Sequence, residues 1–294
     1  MDLAAEADRL RLDRLAVQAS EALAAAGVPH VLLKGPSTAN WLYEPSRFYR
    51  DVDLLVAASR VEQAAAVLAD AQLARRKGGR VGEEADHSLL LESAEGFEVD
   101  LHRSLPAVPV RGDTVWTVLA EHAEPLDLGI GTVPALDEPA RCLVLALHAV
   151  GNPDSAGQPV EDLRRARAKA QPQSWPLAAL LADALDVRDL FDAGVLLVDP
   201  THVSAGASPR ARLYAAQAPS GALALQRLAA TPRRELPALL LRELVPTRGF
   251  MASYRGAPIT GPLDLIRAHT ARWCTLAREL PASVRAWRAA HRAR

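Results

Sequence analysis

The chain has 294 residues, 49% of them hydrophobic, which is enough apolar surface for one large domain or two ordinary ones. Its 34 lysines and arginines against 35 aspartates and glutamates leave a formal net charge of -1, which excludes a global pull toward nucleic acid or an anionic membrane and confines any polyanion site to a local patch. No apolar run approaches the roughly 20 residues a bilayer span needs. Cys142 and Cys274 are the only cysteines and lie far apart in apolar helical contexts, so a disulfide framework or thiolate metal site is not indicated and the chain reads as cytoplasmic.

Residues 2 to 26 carry apolar positions at helical spacing (Leu3, Leu10, Leu15, Leu23) and end at Gly27 and Pro29, predicting a helix and a turn. "HVLLK" is short, apolar and bounded by Pro29 and Gly35, a buried strand. Pro36 suits a first helical position, with "STANWLY" as the helix body. "DVDLLV" is a second strand, followed by an amphipathic helix over "SRVEQAAAVLADAQL" with Ser59 as its N-cap. The loop "RRKGGRVGEEAD", the strand "HSLLLES", the turn "AEG" and the strand "FEVDLHRS" read as loop and hairpin. Beyond about residue 133 strand signals nearly vanish, and alanine- and leucine-rich helices broken by Pro153, Pro159, Pro200 and Pro232 run to the end. The expected class is α+β: a mixed sheet flanked by helices over 1–133, then an all-helical region over 134–294.

Asp51 and Asp53 stand at the mouth of the apolar run Leu54, Leu55, Val56, where a lone carboxylate is costly to bury. Side chains alternate along a strand, so the two carboxylates share a face while Val52 and Leu54 point to the core. Like charges that close resist joint ionisation unless a cation sits between them, and oxygen donors favour a hard ion such as Mg²⁺. In "FEVDLHRS", Asp100 shares a strand face with Glu98 and His102, so it could lie beside the pair. Three carboxylates from neighbouring strands can hold two metal ions that activate an attacking oxygen and stabilise a leaving pyrophosphate. In "LLKGPST", Gly35 allows close backbone approach, the next helix aims its first N–H groups at an anion, Ser37 adds a hydroxyl and Lys34 a point charge. The order Gly-Lys-Ser/Thr of a Walker motif is missing.

This pattern of strand, glycine turn, helix, "RDVDLLV" and "EVDLH" resembles the polymerase-beta-like nucleotidyltransferase superfamily. More closely, "VLLKG", Arg47 four residues before "DVDLLV", and "VDLH" resemble a poorly characterised bacterial nucleotidyltransferase family with a helical C-terminal half. The resemblance implies a catalytic domain over 1–133 and a helical domain over 134–294 that selects the acceptor and closes the cleft. It implies metal binding by Asp51, Asp53 and Asp100, with Asp100 also positioned to take the acceptor proton, and nucleotide or phosphate contacts from Lys34, Gly35, Ser37, Arg47 and His102. Two Mg²⁺ ions are expected, Mn²⁺ being an alternative. "LHAVGNP…VEDL" is similar to the family's helical His…Asp-Leu region at His148 and Asp162. Two departures stand out: Pro36 between Gly35 and Ser37 removes a backbone donor, and Arg50 replaces a small residue before Asp51.

Blander readings stand beside these. Asp51 and Asp53 could cap a turn or pair with Arg47 and Arg50, Lys34 could be a solvated strand end, and His87, His102, His148 and Asp162 could be structural. Trp41 and Tyr43 read as core, with base stacking as the alternative, and "EDLRRARAKA" as a solvated helix face that is also the best local candidate for an acceptor polyanion. The expected activity is transfer of a nucleotidyl group from a nucleoside triphosphate to an acceptor, which the neutral chain points toward a small molecule or peptide, with RNA as the further option. The rival functions are a catalytically silent nucleotide-binding scaffold and a metal-dependent phosphodiesterase.

Overall fold

The structure, a computed structural model, describes residues 3–43, 49–76, 87–106, 108, 112–151, 157–202, 208–216, 218–255 and 259–292. The described residues up to 200 form one compact unit and those from 201 onward a second. No described helix is long and apolar enough to cross a membrane.

In the first unit, α1 (Leu3–Ala25) leads into β1 (His30–Leu32), α2 (Pro36–Leu42), β2 (Asp51–Val56), α3 (Val61–Asp70) and the short β3 (Arg75–Arg76). Then come β4 (Ser88–Glu92), β5 (Glu98–His102), α4 (Thr114–Leu119), β6 (Ala123–Asp127) and β7 (Thr132–Leu136). Four helices complete the unit: α5 (Glu138–Gly151), α6 (Gln158–Lys169), α7 (Ser174–Ala184) and α8 (Arg188–Leu196). The strands form one mixed seven-stranded sheet in the order β3-β4-β5-β2-β1-β7-β6. β2 runs parallel to β5 and antiparallel to β1, and β1 runs parallel to β7.

Alternation along the strands decides which face is apolar. Val52, Leu54 and Val56 of β2, Val99 and Leu101 of β5, and Leu89 and Leu91 of β4 are buried in one cluster with Leu12, Leu15, Ala16, Ala19 and Leu23 of α1 and Val61, Ala64 and Leu68 of α3. Each such leucine or valine contributes about 1.5–3 kcal/mol on burial, so this face pins the register that aims the alternate residues the other way. Leu10, which shares the helical spacing expected of α1, is half exposed; the buried stripe runs through Leu12, Leu15, Ala16, Ala19 and Leu23 instead.

Three local readings differ from expectation. Ser59 lies in a 3-10 turn over Ala58–Arg60 and gives its hydroxyl to Asp113 at 2.7 Å, so it does not cap α3. Residues 75 and 76 extend the sheet edge as β3 within the expected loop. The β6–β7 hairpin has Pro125 opposite Pro134; two prolines mask a strand signal that depends on β-branched residues and free N–H groups.

α5 is buried all round, as a helix apolar on every face must be. At its crossing with α8, a Cβ on Gly194 would lie 2.4 Å from the Ala146 carbonyl oxygen, so only glycine allows that approach. The second unit holds α9 (Pro209–Ala215), α10 (Ser220–Ala230), α11 (Leu236–Leu244), α12 (Arg248–Arg255) and the 31-residue α13 (Pro262–Arg292). Two small clusters hold it together: Leu213, Ala218 and Ala222 with Ala290, and Met251 and Ile259 with Ala268.

Candidate active site

The polar face of the sheet centre is built by β1, β2 and β5. Asp53 sits opposite Asp100 in the parallel register, Asp51 opposite Glu98, and His102 opposite Leu55. Because Val52, Leu54, Val99 and Leu101 belong to the apolar core, the carboxylates of Asp53 and Asp100 and the imidazole of His102 face the other side together. The His102 Nε2 lies 2.7 Å from Asp53 Oδ1 and 3.4 Å from Asp100 Oδ2. Lys34, two residues past β1, places its Nζ 3.4 Å from Asp53 Oδ1. Its backbone is fixed by the preceding residue, whose N–H donates to the Asp53 carbonyl at 2.9 Å.

Gly35 makes the turn possible. Its φ of 65° and ψ of -118° lie where side-chain-bearing residues are strained, and a Cβ there would sit 2.6 Å from the Asp51 carbonyl oxygen. α2 follows, only seven residues long and with Pro36 in its first turn. Ser37 is fully buried and its hydroxyl donates to the Leu33 carbonyl at 3.2 Å. That bond ties the helix start to the strand end.

The charges of this cluster are strongly coupled. Burial works to raise the Asp53 carboxyl, but the Lys34 ammonium and the His102 bond outweigh it, and the group is held well below the usual carboxylate range. Asp51 goes the other way, pushed up to about 6 by burial and by the neighbouring Asp53. Burial acts to lower Lys34 and His102, yet the carboxylates around them raise both, so each stays cationic longer than it would in water. Even with these two cations present, Asp53 Oδ2 and Asp100 Oδ1 are buried with no hydrogen-bond partner. Orphaned carboxylate oxygens in a site whose neighbouring acid resists ionising are what a divalent cation would satisfy. Among the described residues, Asp53, Asp100 and His102 offer ligand atoms that all lie within 4.8 Å of one another, a donor set fit for a small cation.

The structure thus brings together Lys34, Asp53, Asp100 and His102, with Asp51 two residues along β2 from Asp53 and Gly35 against its backbone. Arg47 lies outside the described residues, and Arg50 is exposed. His87 stands with its ring 5.7 Å from that of His102, and its carbonyl accepts from the N–H groups of Arg103 and Ser104 at 2.8 and 3.1 Å. Asp162 accepts from the Tyr43 hydroxyl at 3.0 Å, and Arg141 lies over the Trp41 ring at 5.0 Å, so both aromatics tie α2 to the later helices.

His148, which the family resemblance singles out, lies on α5. On α5 it looks like a core histidine, but its side chain senses Lys34, Asp53, His102 and His87, and burial followed by Lys34 pushes its pKa down to about 3. Only the packing of α5 reveals this, since nothing in "CLVLALHAV" distinguishes a histidine that faces carboxylates from one that faces leucines.

A family described as uncharacterised nucleotidyltransferase matches residues 2–199. No curated protein matches the chain. Among solved structures, the solution structure of the antibiotic-resistance factor ANT(2'')-Ia is similar at 18% identity and a TM-score of 0.44, covering 60% of this chain and 93% of that one. A crystal structure of ANT(2")-Ia in complex with adenylyl-2"-tobramycin is similar at 18% identity and a TM-score of 0.43, covering 58% and 97%. A nucleotidyltransferase-like antigenic protein from Paracoccidioides brasiliensis follows at 16% identity and a TM-score of 0.38, covering 64% and 91%.

Proposed function

The chain belongs to the uncharacterised nucleotidyltransferase family, and from that premise we propose that it transfers a nucleotidyl group from a nucleoside triphosphate to an acceptor oxygen, releasing pyrophosphate. The observation that carries the reading is the pairing of Asp53 with Asp100 across two parallel strands, each with a buried carboxylate oxygen that has no hydrogen-bond partner.

Asp51, Asp53 and Asp100 are the proposed metal-binding carboxylates, and His102 offers a ligand atom within 4.8 Å of those of Asp53 and Asp100. Mg²⁺, or Mn²⁺ in its place, would supply a Lewis acid that screens the triphosphate and makes the acceptor hydroxyl more acidic. The protein's own groups do the rest. Asp100, the most exposed of the cluster that includes Asp53 and His102, is placed to take the acceptor proton as the acceptor oxygen bonds to the α-phosphorus and the bond to the bridging oxygen breaks. Lys34, paired with Asp53, offers a point charge for a phosphate oxygen, and the Gly35 turn lets backbone and ligand approach closely.

The test is incubation of the chain with each labelled nucleoside triphosphate, Mg²⁺ or Mn²⁺ and a cell extract, with Asp53→Ala in parallel. Label transferred by the unaltered chain and not by the variant is expected; equal transfer by both removes the proposal.

A further inference from the structure

The near-neutral charge of the chain is an average over two very different regions. Residues 1–200 carry 19 lysines and arginines against 31 acidic residues, whereas residues 201–294 carry 15 arginines, no lysine and 4 acidic residues. For the described residues this boundary is also that of the two compact units. The formal charges are therefore -12 and +11, which sum to the -1 of the whole. Asymmetry of this size between parts of one chain is an electrostatic footprint for a polyanion.

Within the second unit the surplus is concentrated. Glu235 is paired with Arg234, Glu243 with Arg227 and Asp264 with Arg255, so three of the four acids are neutralised locally. Along α13, Arg267, Arg278, Arg285, Arg288 and Arg292 are all exposed, and none of the five forms an ion pair among the described residues. They follow one another at intervals of eleven, seven, three and four residues, each close to a whole number of helical turns, and so lie along one side of the helix. Ala271, Cys274, Pro281 and Ala289 fall on the same side, all exposed, small or compact, and none of them acidic. The line from residue 267 to residue 292 is about 38 Å long at ~1.5 Å per residue.

Several polyanions could meet a line of arginines, and the side chains choose among them. A free nucleotide or phosphate needs converging donors, and here they are strung out. An interfacial membrane helix sets bulky apolar residues among its basic ones; here the positions on the arginine side are small, and the exposed Ile266, Trp273 and Leu280 follow one another at intervals of seven on a neighbouring side of α13, so vesicles are the control that separates the two readings. A nucleic-acid strand presents phosphates at regular intervals along a line, arginine forks bind them bidentately, and small intervening residues let the backbone come close. Phe250 and Tyr254 of α12, each about half exposed and with nearly parallel rings, add aromatic surface on the same unit for unpaired bases, with Arg272 over one face of Phe250.

We propose that the exposed arginine line of α13 binds the backbone of RNA, and that RNA is the acceptor class of this enzyme. The second clause rests on the nucleotidyl-transfer reading: an RNA 3′ end carries the free hydroxyls such a transfer requires. The first stands on the second unit alone.

The experiment uses the full chain, a fluorescently labelled RNA hairpin with a single-stranded 3′ tail, DNA of the same sequence, and phosphatidylserine-containing vesicles. RNA binding should weaken steeply between roughly 50 and 200 mM salt. Arg278→Glu combined with Arg285→Glu should weaken it at least tenfold and reduce the log–log salt slope by about 2, without lowering the melting midpoint. Asp53→Asn should bind RNA like the unaltered chain. Equal RNA binding by the double variant overturns the proposal. So does tighter binding to DNA or vesicles, or a salt-sensitive self-association that the double variant abolishes without any RNA binding. If RNA binds through the line but nucleotidyl transfer is absent, only the acceptor assignment falls, with the reading on which it rests.

Discussion

In the sheet-bearing unit the charges with chemical consequence are buried and face one another; in the helical unit they are exposed and face outward. Lys34, His102, Asp53 and Asp100 lie within 3.4 Å of a partner, while Arg267, Arg278, Arg285, Arg288 and Arg292 of α13 are exposed to water. The same Coulomb law therefore has opposite uses. Inside a poorly hydrated face a single charge is worth kilocalories and must be placed to fractions of an ångström. On a hydrated helix each charge is worth little alone, and only repetition along a line gives a useful sum. Mutations should separate the two regions by size of effect and by what is affected.

The largest effect belongs to the buried cluster. Asp53→Asn keeps the shape but removes the carboxylate that Lys34 and His102 share, and loss of a metal-ligating charge should cost about 4 kcal/mol at the transition state, or roughly a thousandfold in rate. Single-turnover transfer with labelled nucleotide measures it directly. A variant within tenfold of the unaltered rate would break the contrast between the units. Gly35→Ala comes next and acts on stability as well as activity. The added methyl meets the Asp51 carbonyl in a backbone conformation that alanine avoids, and should cost about 3 kcal/mol. Gly96→Ala, also at positive φ but with nothing within 4 Å of the new Cβ, should cost about 1 kcal/mol. Chemical denaturation of both variants checks whether close approach, and not conformation alone, sets the difference.

How much of this can be read from residues alone follows from what each signal depends on. Period-2 alternation placed Val52, Leu54, Val99 and Leu101 on one side, and with it the shared face of Asp53 and Asp100, because that pattern is local. The β6–β7 hairpin was hidden because Pro125 and Pro134 violate the composition by which strands are recognised, and tertiary pairing overrode it. The environment of His148 was illegible for another reason: the charges that act on it belong to Lys34, Asp53 and His102, and no spacing along α5 encodes them. The charge division was present in the letters throughout. Summing over the whole chain cancelled it, and the boundary at residue 200 gave the sum its proper limits.

A smaller effect separates the units by pH. His30 of β1 is buried between the Ser20 hydroxyl at 2.7 Å and the Val28 carbonyl at 3.0 Å, and burial lowers its pKa below the ordinary 6.5. The folded state therefore resists a proton that the unfolded chain accepts. Above pH 6.5 neither state is charged and nothing is lost; as pH falls below 6.5 toward the folded value, stability declines by at most about 1.4 kcal/mol per pH unit. Melting the unaltered chain and His30→Gln between pH 7.5 and pH 5 should show a steeper decline in the former. Parallel curves would mean that His30 is protonated equally in both states.

The smallest expected change is the one that most sharply distinguishes outward-facing charge from buried charge. Arg278 and Arg285 touch no acid, so replacing both with glutamine removes two like charges from a unit already at +11 and relieves repulsion instead of breaking a bond. The shift should be stabilising, below about 0.5 kcal/mol, and should fade as salt rises. Arg272 on the same helix supplies the contrast. It is buried, donates to the Glu243 carbonyl at 2.7 Å and lies over the Phe250 ring at 5.6 Å, so Arg272→Gln must leave that carbonyl short of its donor. Identical chemistry on one helix should thus give opposite signs, positive for the exposed pair and negative for the buried residue. Two losses of similar size would mean that the exposed arginines also hold the fold, and a line of charge with a structural duty would no longer be free to bind RNA.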